Sequence, residues 1–175
     1  MPRNIELKAR LASLDAARET ARQLATGLPS VERQTDTYFV CRRGRLKLRE
    51  RLGLPAQLVG YARANEAAPK PSDYHITEVS DASALRAALS AALGVLVVVD
   101  KRREIYLVNN VRIHLDQVAE LGDFLEFEAV LGPADGDDEG HARLAALARQ
   151  FGIDPTGLVA WSYSDLLLER HGPDG

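Results

Sequence analysis

Charged side chains recur at alternate positions in two runs within Val111 to Val130, VRIHLDQVAELGDFLEFEAV. With the two-residue repeat of a strand, Arg112, His114 and Asp116 share one side, and Val111, Ile113 and Leu115 take the other. After a connection through Gly122, the side formed by Phe124, Glu126 and Glu128 lies opposite Leu125, Phe127 and Ala129. Cationic forks bind anions, and carboxylates bind hard cations, so a surface carrying both suits an anion held together with a metal ion. One such strand alone is accounted for by a face turned to water. The chemical reading depends on repetition.

The pattern does repeat. NIELKARL sets Asn4, Glu6, Lys8 and Arg10 against Ile5, Leu7, Ala9 and Leu11. RLKLRERL aligns Arg45, Lys47, Arg49 and Arg51, with the outer two of the row as readily at a rim as at a site. LVGYAR aligns Val59, Tyr61 and Arg63, and VLVVVDKRREIYLVNN aligns Val97, Val99, Lys101 and Arg103. VERQTDTYFV, rich in β-branched and aromatic residues, forms a hairpin with RLKLRERL through Arg42-Arg43-Gly44, and DYHITEV adds a further strand. The apolar sides need cover. If amphipathic helices supply it from outside, the charged sides face one another across a sheet curled into a barrel with a polar lumen, an α+β architecture.

Several helices are available for that cover. Ser13 caps one running to about Thr26, with Ala17, Ala21, Leu24 and Leu28 near one stripe and Gly27 at its end. Asp81 caps another over residues 82–93, with Leu85, Ala88, Leu89 and Ala92 inward and Gly94 as terminator. His141 to Phe151 is a third, and Asp154-Pro155 opens a last one through about Glu169 that contains Trp161 and Tyr163 as packing aromatics. Residues 65–72, NEAAPKPS, and 132–140, GPADGDDEG, read as loops. The second lacks the glycine order and closing glutamate of a calcium loop.

The totals set outer limits. The 175 residues, 46% hydrophobic, suffice for one core, expected over 1–171 with a frayed tail at 172–175. A net charge of −3 gives no bulk attraction to nucleic acid or acidic membranes, so any anion site needs local segregation of charge. The single cysteine, Cys41, excludes an internal disulfide framework and a cysteine-rich zinc site. The N-terminus lacks an apolar signal core, and no stretch approaches the ~18 apolar residues of a membrane span, so a soluble cytoplasmic protein is expected.

Confinement selects the ligand of such a lumen. Like charges ~6 Å apart repel by roughly 3 kcal/mol at an effective dielectric of ~20, so Lys8, Lys47, Arg49, Arg63, Lys101, Arg103 and Arg112 together need counter-anions. Glu6, Asp116, Glu126 and Glu128 neutralise only some of them. The excess suits a chain of phosphates, and carboxylates beside phosphates suit Mg²⁺ or Mn²⁺. His114 reads as a hydrogen-bonding wall residue rather than a base.

NIELKARL resembles the ExExK opening of the CYTH superfamily of triphosphate tunnel metalloenzymes, which includes class IV adenylate cyclases and thiamine triphosphatases. The resemblance continues through TDTYF, RLKLRER, YAR, DKRREIY, VRIHLDQVAELGDFLEFE and SYSDLL, nearly the whole chain. It implies an antiparallel eight-stranded tunnel, with helices outside, that binds a triphosphate (ATP, tripolyphosphate or thiamine triphosphate) with Mg²⁺ or Mn²⁺. Carried over, Lys8, Lys47, Arg49, Arg63, Lys101, Arg103 and Arg112 hold phosphates. Glu6, Glu126 and Glu128 hold metal, Asp116 either ligates metal or orients a basic residue, and Glu6, Lys8, Glu126 and Glu128 carry the chemistry. Leu121 to Phe124, LGDF, resembles the cyclase-like branch, and a homodimer is compatible with the family pattern. The chain departs from that pattern at Asn4, a neutral amide where the first glutamate is expected, and this weakens a divalent site. Triphosphatase activity and silent binding of a polyphosphorylated ligand are the alternatives.

Overall fold

The computed structural model describes residues 3–62, 70–71, 73–132 and 136–172. Their strands are β1 (Arg3–Arg10), β2 (Ser30–Phe39), β3 (Arg45–Arg51), β4 (Leu54–Ala62), β5 (Lys70–Pro71), β6 (Asp73–Val79), β7 (Val95–Val108), β8 (Val111–Val118) and β9 (Gly122–Leu131). The helices are α1 (Leu14–Leu24), α2 (Ala82–Leu93), α3 (Asp137–Gln150) and α4 (Tyr163–His171). All strand pairs are antiparallel, in the order β5-β1-β9-β8-β7-β2-β3-β4-β6. One residue separates β5, which pairs with β1, from β6, which pairs with β4, so consecutive stretches of chain join the two edges. Counting that stretch as one strand, eight antiparallel strands curl around a lumen, as expected.

Alternation places the core outside this lumen. Ile5, Val111, Ile113, Leu115, Leu125, Phe127 and Ala129 are buried with Ala17 and Ala21 of α1 and Leu144 and Leu147 of α3. Each fully buried large apolar side chain contributes about 1.5–3 kcal/mol, which fixes the register, since a slip of one residue would turn the charged set into this core. A smaller cluster of Phe39, Leu48 and Ala56 lies under Leu85 and Leu89 of α2. Ser13 Oγ accepts from Ala16 N–H and Asp81 Oδ1 from Ala84 N–H, which satisfies donors at the starts of α1 and α2. Asn109 (φ 53°) makes the β7–β8 turn, and Gly44 (φ 64°) lies in the β2–β3 connection.

Several local expectations are corrected. The first helix stops at Leu24, so Leu28 is 99% exposed rather than on its stripe. Ala88 and Ala92 of α2 are exposed, because the face that packs on the sheet carries Ala82, Leu85 and Leu89. The supposed loop at 132–140 turns helical at Asp137, where Asp137, Asp138 and Glu139 complement the positive end of the helix. Lys70 and Pro71 of the other expected loop pair with β1, while residues 63–69 and Ser72 lie outside the described residues. The last helix is broken. Asp154-Pro155 opens a 3₁₀ turn of three residues, an extended segment follows in which Val159 N–H donates to Lys8 O, and α4 begins only at Tyr163 under a Ser162/Asp165 capping box.

That break carries α4 away from the outer surface. Tyr163 and Leu167 pack with Tyr38, Val97, Val99, Val118 and Phe124, residues on the lumen side of their strands, so α4 closes one end of the barrel while α1, α2 and α3 cover its outside. Among the described residues, no helix is long and apolar enough to cross a membrane.

Candidate functional site

Register brings the charged positions together across the lumen. Glu6 lies opposite Glu128 and Lys8 opposite Glu126 between β1 and β9, while Arg112 faces Glu128 and His114 faces Glu126 between β8 and β9. Arg103 is beside Asp116 between β7 and β8, and Lys101 beside Gln34 between β7 and β2. Asp36 is beside Arg49, and Tyr38 beside Lys47, between β2 and β3. A cavity of about 930 Å³ is lined by all of these basic residues, with Asn4, Glu6, Glu126, Glu128 and Tyr163. A second hollow of about 840 Å³ lies against the outer wall by Arg33, Glu50, Asp100 and Arg102, where opposite charges alternate.

At the centre of the cationic wall is Asp36, fully buried. Its Oδ2 accepts from Lys47 Nζ at 2.8 Å, Lys101 Nζ at 3.0 Å and Arg49 at 3.0 Å, and its Oδ1 from Arg49 Nε at 2.8 Å. Burial alone would raise the Asp36 carboxyl, but Lys101, Lys47 and Arg49 outweigh it and hold the group well below the usual carboxylate range. Burial, opposed by Asp36, brings Lys101 down to about 7. Two residues along β7 from Lys101, Arg103 forks onto Asp116 at 2.7 and 2.6 Å and reaches Glu126 at 3.3 Å. Tyr163 OH donates to Asp116 at 2.8 Å. Lys8 lies 3.5 Å from Glu126 and 4.1 Å from the Tyr163 ring centroid, a cation–π contact. Burial would raise Glu126 too, yet Arg103, Lys8 and His114 keep it ionised, well below its ordinary value.

Toward the end away from α4 the lumen becomes acidic. Asn4, 2% exposed, donates from Nδ2 to Glu128 at 2.5 Å and to Glu6 at 3.3 Å. Arg112, half-exposed, also bonds Glu128 at 3.2 Å. His114 Nδ1 lies 3.1 Å from Glu126, and its Nε2 3.8 Å from Glu128. Among the described residues, Asn4 Oδ1 and Gln34 Oε1 are buried oxygens without a hydrogen-bond partner, and both residues line the lumen. Buried orphan acceptors of this kind mark a place for a cation, a water or a ligand proton. Among the described residues, no three His, Cys, Asp or Glu side chains are gathered round one point. The reason is local: the Asn4 amide sits between Glu6 and Glu128, and Glu126 is turned to Arg103 and Lys8. The donors are nonetheless the hard oxygens that Mg²⁺ or Mn²⁺ prefers, and such ions complete their shells with phosphate and water.

The model of the CYTH domain family matches residues 2–163, from the first strand to the start of α4. The chain belongs to the CYTH family. Members of this family process triphosphates. The PH1012 protein of Pyrococcus horikoshii OT3 is 25% identical, covering 93% of this CYTH chain and 98% of its own, with a TM-score of 0.83. A candidate adenylate cyclase from Vibrio parahaemolyticus is 22% identical over 94% of this chain and 97% of its own, with a TM-score of 0.76. A candidate adenylyl cyclase from Hippeastrum, described as having a dominant triphosphatase activity, is 13% identical over 98% of this chain and 96% of its own, with a TM-score of 0.68. Among curated proteins none matches the chain.

The CYTH lumen brings together Glu6, Lys8, Lys47, Arg49, Lys101, Arg103, Arg112, Asp116, Glu126 and Glu128, counting Asp116 through its bond to Arg103. Arg63 lies outside the described residues. Asp116, offered either as a metal ligand or as a partner for a base, has both oxygens engaged by Arg103 and Tyr163. Tyr106, aligned with Glu104 on the opposite face of β7 from Lys101 and Arg103, points outward and bonds Glu104 beneath α1. Arg45, read as equally suited to the rim, bonds Ser162, Ser164 and Asp165 at the α4 end. Sequence reasoning missed Asp36 as a site residue, although Glu32, Gln34, Asp36 and Tyr38 alternate within one strand. It also missed the insertion of Tyr163, for which no local signal exists.

Proposed function

We propose that the lumen binds the triphosphate of ATP with Mg²⁺ or Mn²⁺, and that the protein is an adenylate cyclase-like enzyme forming cyclic AMP and pyrophosphate. The observation carrying this reading is the cationic wall of Lys47, Lys101 and Arg103, all buried, with the half-buried Arg49, facing the lumen and only partly neutralised by Asp36 and Asp116. An ammonium has three N–H donors and a guanidinium five, so each retains donors beyond its carboxylate bonds. Lys8, deeper against Tyr163, and Arg112, nearer the mouth, serve as further phosphate ligands.

Glu6, Glu128 and the Asn4 amide oxygen would hold the divalent ion, with Glu126 as a further oxygen deeper in. When bound, such an ion neutralises phosphate oxygens and polarises the phosphorus under attack. The protein's own groups do the remaining work. Arginine and lysine donors fix the phosphate chain in line, so that the ribose 3′-oxygen bonds the α-phosphorus as the bond to pyrophosphate breaks and the hydroxyl proton passes to solvent. Arg103 and Lys8, held in place by Asp116, Glu126 and Tyr163, meet the charge that grows on the phosphate oxygens. The LGDF segment supports the cyclase-like branch.

Hydrolysis by water at a terminal phosphorus uses the same cradle and is the second reading, supported by the triphosphatase activity described for the Hippeastrum relative. Purified protein incubated with ATP, tripolyphosphate or thiamine triphosphate and either metal separates the two. Cyclic AMP with equimolar pyrophosphate supports cyclisation, and inorganic phosphate supports hydrolysis. Tight binding without any product would replace both with a binding module, the outcome that the Asn4 amide favours.

A further inference from the structure

We infer that Asp36 is a positioning residue: one buried carboxylate that gathers Lys47, Arg49 and Lys101 into a single cluster facing the lumen and offsets their mutual repulsion before any ligand arrives. The inference rests on the lumen being a triphosphate site. Three cations converge on the two oxygens of one aspartate, at 2.8 to 3.0 Å, from two different strands flanking β2. Without a shared anion, three confined like charges would splay apart or lose a proton. Asp36 reaches none of the acidic residues at the mouth in these contacts, so its task differs from theirs.

Lys101 is where the effect is measurable. The groups facing it are Asp36 from β2, Lys47 and Arg49 from β3, Arg103 on its own strand, Asp116 from β8 and the Tyr163 ring at 5.5 Å from α4. Asp36 is the carboxylate that bonds it directly. Burial and the neighbouring cations lower its proton affinity to about 7, and Asp36 is the group that opposes them. Removing that charge at unchanged shape leaves Lys101 neutral over more of the pH range, and a neutral amine contributes little to binding phosphate.

The test is tripolyphosphate affinity by titration calorimetry, metal-free, from about pH 5 to about pH 9, for the native chain, Asp36→Asn and Asp36→Glu. The ligand's own titration is common to all three, so it cancels in the ratios. Native affinity should hold to about pH 7 and then fall. In Asp36→Asn the fall should move about one to three pH units lower. Asp36→Glu should keep the native midpoint but bind about tenfold more weakly, since the charge survives and the spacing does not. Lys101→Gln should flatten the fall near neutral pH. Profiles of Asp36→Asn that superimpose on the native one overturn the inference. Should Asp36→Asn fail to fold, Asp36→Glu decides: native affinity, or a shifted midpoint, overturns it. A native chain that does not bind tripolyphosphate at all refutes instead the triphosphate reading.

Discussion

Replacing Asn4 with aspartate changes one atom's chemistry in the acidic mouth. The amide nitrogen now donates to Glu128 at 2.5 Å and to Glu6 at 3.3 Å. In Asn4→Asp the donor becomes a third carboxylate oxygen. Even after relaxing to about 4 Å, each like-charge pair costs about 4 kcal/mol at an effective dielectric of about 20. The penalty has a ceiling, because the new carboxyl can take up a proton: from a pKa of about 3.9 to neutral pH this costs about 4 kcal/mol. A net destabilisation of about 2–4 kcal/mol follows, or roughly 5–15 °C in Tm for a chain of this size. Scanning calorimetry in chelator should show it, and below about pH 4, where the extra group is protonated in either state, the deficit should vanish. Adding Mn²⁺ should narrow the gap between the variant and the native chain. A third carboxylate binds the ion more tightly, and an ion at 100 times its Kd restores about 2.7 kcal/mol. A variant as stable as the native chain without metal, or one that Mn²⁺ stabilises no more than the native chain, would refute the placement of Asn4 at the cation site.

Glu104, buried beneath α1 and held down to about 2 by Arg18, with Arg102 and Tyr106 assisting, should stabilise the fold above its unfolded pKa. That contribution, about 3 kcal/mol, is lost as pH falls through about 2, so urea denaturation of Glu104→Gln should show a flatter acid limb than the native chain. Tyr163→Phe keeps the ring over Lys8 but removes the hydroxyl that donates to Asp116, and should cost about 1–3 kcal/mol in the same assay. Arg103→Lys loses the fork onto Asp116 and should weaken tripolyphosphate binding by about tenfold or more, read by calorimetry.

Period-two alternation makes the walls legible in the sequence. Val111, Ile113 and Leu115 are buried outside and Arg112, His114 and Asp116 turn to the other side, because burying one face forces the register of the other. Asp36 sat in the same kind of pattern and was overlooked because its neighbours Thr35 and Thr37 carry no apolar contrast to sharpen the alternation. What it bonds is non-local, joining β2 to β3 and β7, and a period cannot report that. The α3 start was obscured by glycine and aspartate, residues as suited to a first helical turn as to a loop. The break before α4 was invisible for a different reason: Val159 N–H bonds Lys8 O, more than a hundred residues upstream, and this tertiary bond overrides the helix signal of Asp154-Pro155.

With α4 seated in one end of the barrel, and Arg112 half in water at the other, the described residues leave the Arg112 end for a ligand both to enter and to leave. A phosphate tail that goes in first must come out last. For cyclisation this makes the nucleotide fragment the first product to depart and pyrophosphate the second, drawn back past Arg103 and Lys8. Added pyrophosphate should therefore compete with ATP for the empty protein, whereas added cyclic AMP, shallow by comparison, should inhibit far less.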